Sequence, residues 1–132
     1  MIVLDTHALL WWASGAADQL SPVALAAIQT EMDDGRIVVS SISAWELAML
    51  VARGRVALSI DTSEWLTLAG QIDAVEFMPV DNEIAVKSVE LPGEFHKDPA
   101  DRLIVATARK LGAPLVTADE KIRAYPHVLT LW

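Results

Sequence analysis

Cysteine is absent from this 132-residue chain. Disulfide bridges, thiolate zinc sites and cysteine nucleophiles are therefore excluded. Long apolar runs are also missing, since the longest has only about half a dozen residues against the ~20 that span a bilayer. The first residues lack the basic start of a signal peptide. We therefore expect a soluble, cytoplasmic protein with no membrane contact.

Basic residues are scarce, with 10 Lys and Arg against 18 Asp and Glu and a net charge of −8. A generic nucleic-acid binder needs a basic patch, so the chain does not belong to that class. An acidic balance fits a carboxylate metal site, a basic partner or simply a well-solvated surface. Glycine-rich phosphate loops, a Ser-His-Asp arrangement and the HExxH pattern are absent.

What the chain does have is enough apolar material for a core, at 53% hydrophobic residues, and we expect one domain over residues 1–132. Short apolar runs predict strands at 1–4, 37–39, 75–80, 115–117 and 127–131. Helical spacing and capping residues predict helices, caps included, at 7–14, 21–35, 43–52, 61–74, 81–91, 98–112 and 119–124. This alternation predicts an α/β fold with a parallel sheet of about five strands, covered by helices on both faces.

Acidic residues recur where predicted strands end or helices begin: Asp5, Glu46, Asp98, Asp101 and Asp119. Each has a purely structural alternative. Three of the aspartates suit helix N-caps, and the sequence from Ser43 to Glu46 has the form of a capping box, which for Glu46 alone is the favoured interpretation. Yet the ends of adjacent parallel strands lie ~5 Å apart, so these side chains would crowd together.

Crowded carboxylates repel, and a divalent cation relieves that repulsion. Because all donors are oxygens, we expect a hard ion, Mg²⁺ or Mn²⁺, acting on a phosphate ester through an activated water. Asp101 lies on the flank of the buried helix face, whereas Asp98 points further out, so Asp101 is the better ligand candidate.

Other residues could support this centre. Hydroxyls could orient the acids, and nearby cations could hold a phosphate, although exposure to solvent is the commoner fate of such cations. His7 could contact substrate, although a hydrogen-bonded surface histidine is the simpler interpretation. The hydroxyl candidates are Thr6, Ser41 and Thr117, and the cation candidates are Lys97, Arg102 and Lys121.

Four segments in this order and spacing resemble the PIN-domain family, and more narrowly VapC toxins: Val3–Thr6, Ser43–Leu47, Asp98–Ala108 and Leu115–Asp119. The resemblance covers the chain from end to end. It implies a three-layer fold around a five-stranded parallel sheet and a Mg²⁺- or Mn²⁺-dependent endoribonuclease. It also implies a homodimer and inhibition by a VapB antitoxin, whose basic residues would meet the acidic cleft.

Carried over residue by residue, the family's acidic quartet falls on Asp5, Glu46, Asp101 and Asp119. Asp98 is an additional acid and a further candidate metal ligand, which the minimal pattern does not require. The resemblance therefore implies the toxin of a type II toxin–antitoxin pair that hydrolyses RNA.

Two other functions compete with this one. A PIN-like module that has lost catalysis and only binds a partner is disfavoured by the intact quartet. A phosphatase of the haloacid dehalogenase type would need a second acid two residues after Asp5, where this chain has His7.

Overall fold

The computed structural model describes residues 1–132, in which five strands alternate with seven helices. The strands are β1 (Ile2–Leu4), β2 (Ile37–Ser40), β3 (Val75–Met78), β4 (Leu115–Val116) and β5 (Thr130–Leu131). The helices are α1 (Thr6–Ala13), α2 (Pro22–Asp34), α3 (Ile42–Ala52), α4 (Thr62–Gly70), α5 (Asn82–Val89), α6 (Pro99–Leu111) and α7 (Glu120–Arg123), with a short 3-10 turn at Ala17–Gln19. The predicted α/β fold with a five-stranded sheet is confirmed.

All strand pairs in the sheet are parallel, in the order β3-β2-β1-β4-β5. The chain moves outward from β1 to β2 and β3, and later returns to the other side of β1 through β4 and β5. In such a sheet a crevice opens beyond the carboxyl ends of the strands where the order reverses. Here that position lies at the end of β1, between β2 and β4.

Helices cover both faces of the sheet, as the two hydrophobic clusters demonstrate. Leu4 and its register partners Val39 and Val116 pack with residues of α1, α2 and α4. Val3 and its partners contribute to the second cluster, with α5 and α6. Successive strand residues point to opposite faces, so these fully buried runs require a helical layer on each side.

Helix α6 buries Ala100 in its first turn and every residue from Ile104 to Ala108. It ends at Gly112, whose φ of 61° places it in the left-handed conformation that glycine adopts without strain. Helix α6 packs against β1 and β2, and its first turn lines the same cavity as Asp5, which follows β1. No helix has the length and apolar character that a bilayer crossing requires.

Several predicted boundaries differ from the structure. The third strand stops at Met78, just before Pro79, and not at Val80. Only Thr130 and Leu131 pair in the last strand, which lies at the sheet edge. Helix α3 begins at Ile42 with Ser41 at its cap position, so Ser43 lies inside the helix and not at its start.

Candidate metal centre

Asp5 follows β1 directly and is only 8% exposed. Its Oδ1 accepts a hydrogen bond from the amide of Ala8 at 2.8 Å, so the carboxylate caps α1. Burial raises the pKa of Asp5, while the hydrogen bond from Thr117 lowers it and the charge of Glu46 raises it further. The Asp5 side chain therefore both caps α1 and lines the cavity.

Glu46 faces the same crevice from α3. The prediction that it closes a capping box with Ser43 is wrong, because Ser43 is the second residue of the helix and not its N-cap. The Glu46 carboxylate instead accepts a hydrogen bond from the hydroxyl of Thr6, and that hydroxyl also lies 2.8 Å from Ser43 Oγ. Thr6 thus ties the start of α1 to α3 and orients Glu46, whereas Ser41 makes no such contact.

Asp98 and Asp101 come from the first turn of α6. Asp98 is exposed, and its Oδ1 accepts from the amide of Asp101 at 3.0 Å, as predicted for an N-cap. The Asp101 side chain is 19% exposed. Burial, followed by the charges of Asp98, Asp119, Glu46 and Asp5, raises the pKa of Asp101 to about 7.

Asp119 follows β4 and caps α7, since its Oδ1 accepts from the amides of Lys121 and Ile122. The fully buried Thr117 links it to Asp5. Its Oγ1 accepts a hydrogen bond from the Asp119 amide at 3.1 Å, and the same hydroxyl lies beside Asp5 and lowers the pKa of that carboxyl. Thr6 and Thr117 therefore support the acids from the two neighbouring strand ends, as two of the three predicted hydroxyls.

One cavity of about 440 Å³ brings all these acids together. It is lined by Asp5, Thr6, His7, Trp11, Glu46, Asp98, Asp101, Ile104, Ala118 and Asp119. Carboxylate oxygens of Glu46, Asp98 and Asp101 lie within 4.8 Å of one another. The acids come from the ends of two strands and the starts of two helices that are distant in sequence.

This donor set fits a hard divalent cation. The ionisable groups that line the cavity are carboxylates and one histidine, without any lysine or arginine that could neutralise them. The pKa of Asp101 is raised first by burial and then by the negative charges of four neighbouring carboxylates, and a cation would relieve that repulsion. Oxygen ligands favour Mg²⁺ or Mn²⁺ over softer ions.

None of the three cations predicted to be able to hold a phosphate lines the cavity. Lys97 and Lys121 are exposed and do not line the cavity. Arg102 turns away from it and donates to the backbone carbonyls of Ser88, Val89, Phe95 and His96. A guanidinium has five donors in a rigid fork, so it suits this task of fastening the loop before α6.

Two residues near the acids were given no site role from the sequence. His96 Nε2 lies 3.1 Å from Asp101 Oδ2, although without hydrogen-bond geometry to it or to any other group. Trp11 lines the cavity from α1. The spacing of Trp11 four residues after His7 was the available signal, because such residues share one helix face. For His96, no sequence signal predicts the loop path.

Comparisons with known proteins agree with this architecture. Residues 2–128 match the PIN domain family. The chain is 39% identical over 134 aligned positions to Ribonuclease VapC22 of Mycobacterium tuberculosis, covering 99% of this chain and 98% of that protein.

Among solved structures, the fold is similar to that of a chain in VapBC2 from Rickettsia felis bound to a promoter DNA fragment. The TM-score is 0.72 and the sequence identity is 20%, and the match covers 98% of this chain and 97% of that one. A toxin–antitoxin complex from Klebsiella pneumoniae gives a TM-score of 0.67 and 21% identity over the same shares of the two chains. These likenesses concern the fold. Together with the family match over nearly the whole chain, they establish that this protein belongs to the PIN domain family.

Proposed function

We propose that this protein is a Mg²⁺- or Mn²⁺-dependent endoribonuclease and the toxin of a type II toxin–antitoxin pair of the VapBC kind. The observation that carries the proposal is the single cavity in which five carboxylates converge. It occurs in a chain 39% identical to a protein named as a ribonuclease. We treat residues 1–132 as one PIN domain.

Asp5, Glu46, Asp101 and Asp119 are the proposed catalytic residues, and with Asp98 they form the proposed metal-binding set. When bound, Mg²⁺ or Mn²⁺ would neutralise charge on a phosphodiester and activate water for in-line attack. Thr6 holds the Glu46 carboxylate by a hydrogen bond, and Thr117 joins Asp5 to Asp119. These hydroxyls keep the acids in place while the charge in the cavity changes.

The proposed partners follow from the same features. With a net charge of −8, an acidic cleft would attract basic side chains of a VapB-type antitoxin. Exposed apolar residues such as Leu68 and Val89 provide surface that a second copy of the chain could cover in a homodimer. An RNA substrate implies a cytoplasmic location.

Cleavage of single-stranded RNA by the purified chain, with and without added Mg²⁺ or Mn²⁺, tests the proposal. Asp5→Asn is the best variant, because asparagine caps helices as well as aspartate does and α1 should remain intact. We expect cleavage that needs the cation and falls in the variant by more than the ~10- to 100-fold loss typical of a residue that only orients a ligand. Full activity in Asp5→Asn, or after complete chelation, would reject the mechanism. Tight partner binding without any cleavage would favour an inactive interaction module.

A further inference from the structure

Two aromatic rings share the wall of the acid-lined cavity. His7 and Trp11 lie on one face of α1 and both line the cavity, with ring centroids 5.6 Å apart and planes tilted by 51°. Trp132 continues the row, with its ring centroid 6.0 Å from that of Trp11. We call these three residues the aromatic ledge.

The ledge is not explained by core packing alone. His7 is exposed, and Trp11 and Trp132 are only partly buried. An exposed imidazole contributes little to a hydrophobic core, and it makes no side-chain hydrogen bond that would account for its position. The ledge therefore presents aromatic surface at the edge of the proposed metal centre.

The charge of the cavity limits how it could hold RNA. A phosphate in the cavity would face carboxylates, and neither lysine nor arginine lines the wall. Affinity for a nucleic acid must then come from the cation and from contacts that do not depend on charge. Aromatic rings supply such contacts by stacking on bases, since every base has a π-face.

We propose that the aromatic ledge is a base-stacking subsite for an unpaired RNA nucleotide next to the phosphate that is cleaved. This inference rests on the proposed function, because it takes RNA to be the substrate. A paired base is already stacked in its helix, so the subsite selects single-stranded segments or loops. It also supplies binding that tolerates different bases, while the acids supply the cation site.

The test measures RNA binding separately from RNA cleavage. The Asp5→Asn chain is titrated, in Mg²⁺, into a fluorescein-labelled single-stranded RNA of eight nucleotides, and fluorescence anisotropy reports Kd. Adding Trp11→Ala should weaken binding ~5- to 150-fold, as expected for the loss of one stacked base. His7→Ala should also weaken it, and Trp11→Phe should retain most of the affinity.

Trp45→Ala is the matched control, because Trp45 is 52% exposed on α3 and does not line the cavity. It should change Kd by less than about twofold if stacking is confined to the ledge. Since Trp11 is partly buried, the urea midpoint of each variant is compared with that of its parent. The exposed His7 provides a second variant that should not disturb folding.

A set of RNAs with one abasic nucleotide at each position makes the test more specific. One position should lose affinity in the Asp5→Asn chain, and that loss should disappear once Trp11→Ala is added, because the two changes remove the same contact. Equal sensitivity to the abasic position in both chains would overturn the proposal, as would unchanged binding in Trp11→Ala and His7→Ala. Cleavage by the unsubstituted chain is scored separately, so a failed subsite and a failed ribonuclease assignment give different results.

Discussion

Replacing Asp101 by asparagine should stabilise the metal-free protein at neutral and alkaline pH. The carboxylate is held among four other acids, and its pKa is raised from 3.8 to about 7 by burial and by their charges. That difference corresponds to about 4 kcal/mol against the ionised form. Because the side chain is 19% exposed and solvent screens the repulsion, we take about half of this value, ~2 kcal/mol.

The sign of the pH dependence follows from the raised pKa. Well below pH 3.8 the Asp101 carboxyl is protonated in both the folded and the unfolded chain, so it does not lower the free energy of unfolding. Between 3.8 and about 7 the folded chain holds the extra proton, and stability falls as pH rises. Above about pH 7 the ionised Asp101 lowers the free energy of unfolding by its full amount. The gain from Asp101→Asn should therefore be ~2 kcal/mol at pH 8 and smaller at pH 5.

Urea unfolding followed by tryptophan fluorescence, in the presence of EDTA, measures the effect. At pH 8 the melting temperature should also rise by roughly 6 to 10 °C for a chain of this size. Asp33→Asn is the control, since Asp33 is an exposed acid near the end of α2. The N-cap hydrogen bond of Asp98 is unaffected by this substitution, because Asp98 accepts it from the backbone amide of residue 101. An Asp101→Asn protein that is less stable than its parent at pH 8, or equally stabilised at both pH values, would show that the ionised Asp101 carboxylate does not destabilise the metal-free fold.

Three further predictions concern other parts of the site. Thr117→Val should keep the fold but lower RNA cleavage by ~10- to 100-fold, because the hydroxyl that lies between Asp5 and Asp119 is lost. A kcat/KM within error of the parent would contradict this. Arg102→Ala should lower the free energy of unfolding by ~2 to 4 kcal/mol, since four backbone carbonyls lose a charged donor, and a urea midpoint equal to that of the parent would exclude it. Mn²⁺ at 100 times its Kd should stabilise the parent by about 2.7 kcal/mol in thermal unfolding, and an equal shift in Asp101→Asn would place the ion elsewhere.

The positions of Asp5 and Asp119 could be predicted from the sequence because each follows a strand of the parallel sheet. Strand length, apolar content and alternation with helices determine where such strands end, and neighbouring ends must lie close together. The N-cap role of Asp98 was equally predictable, since a cap and a first-turn proline are local signals.

Glu46 shows where local reasoning fails. The spacing from Ser43 to Glu46 favours a capping box, but the helix begins earlier, at Ile42, and the carboxylate bonds to Thr6 from another segment. Tertiary contact overrides a local pattern here. Choosing between a capping box with Ser43 and a hydrogen bond from Thr6 requires knowing where α1 lies relative to α3.

Arg102 and His96 were unpredictable for a related reason. The carbonyls that Arg102 binds belong to the end of α5 and to the following loop, and the path of that loop is not encoded in any periodicity. The contact between His96 and Asp101 depends on the same path. Loop conformation is set by such long-range contacts, so an arginine beside an acidic cluster resembles a phosphate ligand until the backbone is known.

Crystals grown or soaked with Mn²⁺ would reveal whether these acids form one cation site. Anomalous scattering from manganese should give a peak inside the cavity, within coordination distance of Asp101 and at least one further acid of the proposed metal-binding set. The peak should vanish in Asp101→Asn crystals under the same conditions. Manganese bound only outside the cavity, or an empty cavity at saturating Mn²⁺, would contradict the account.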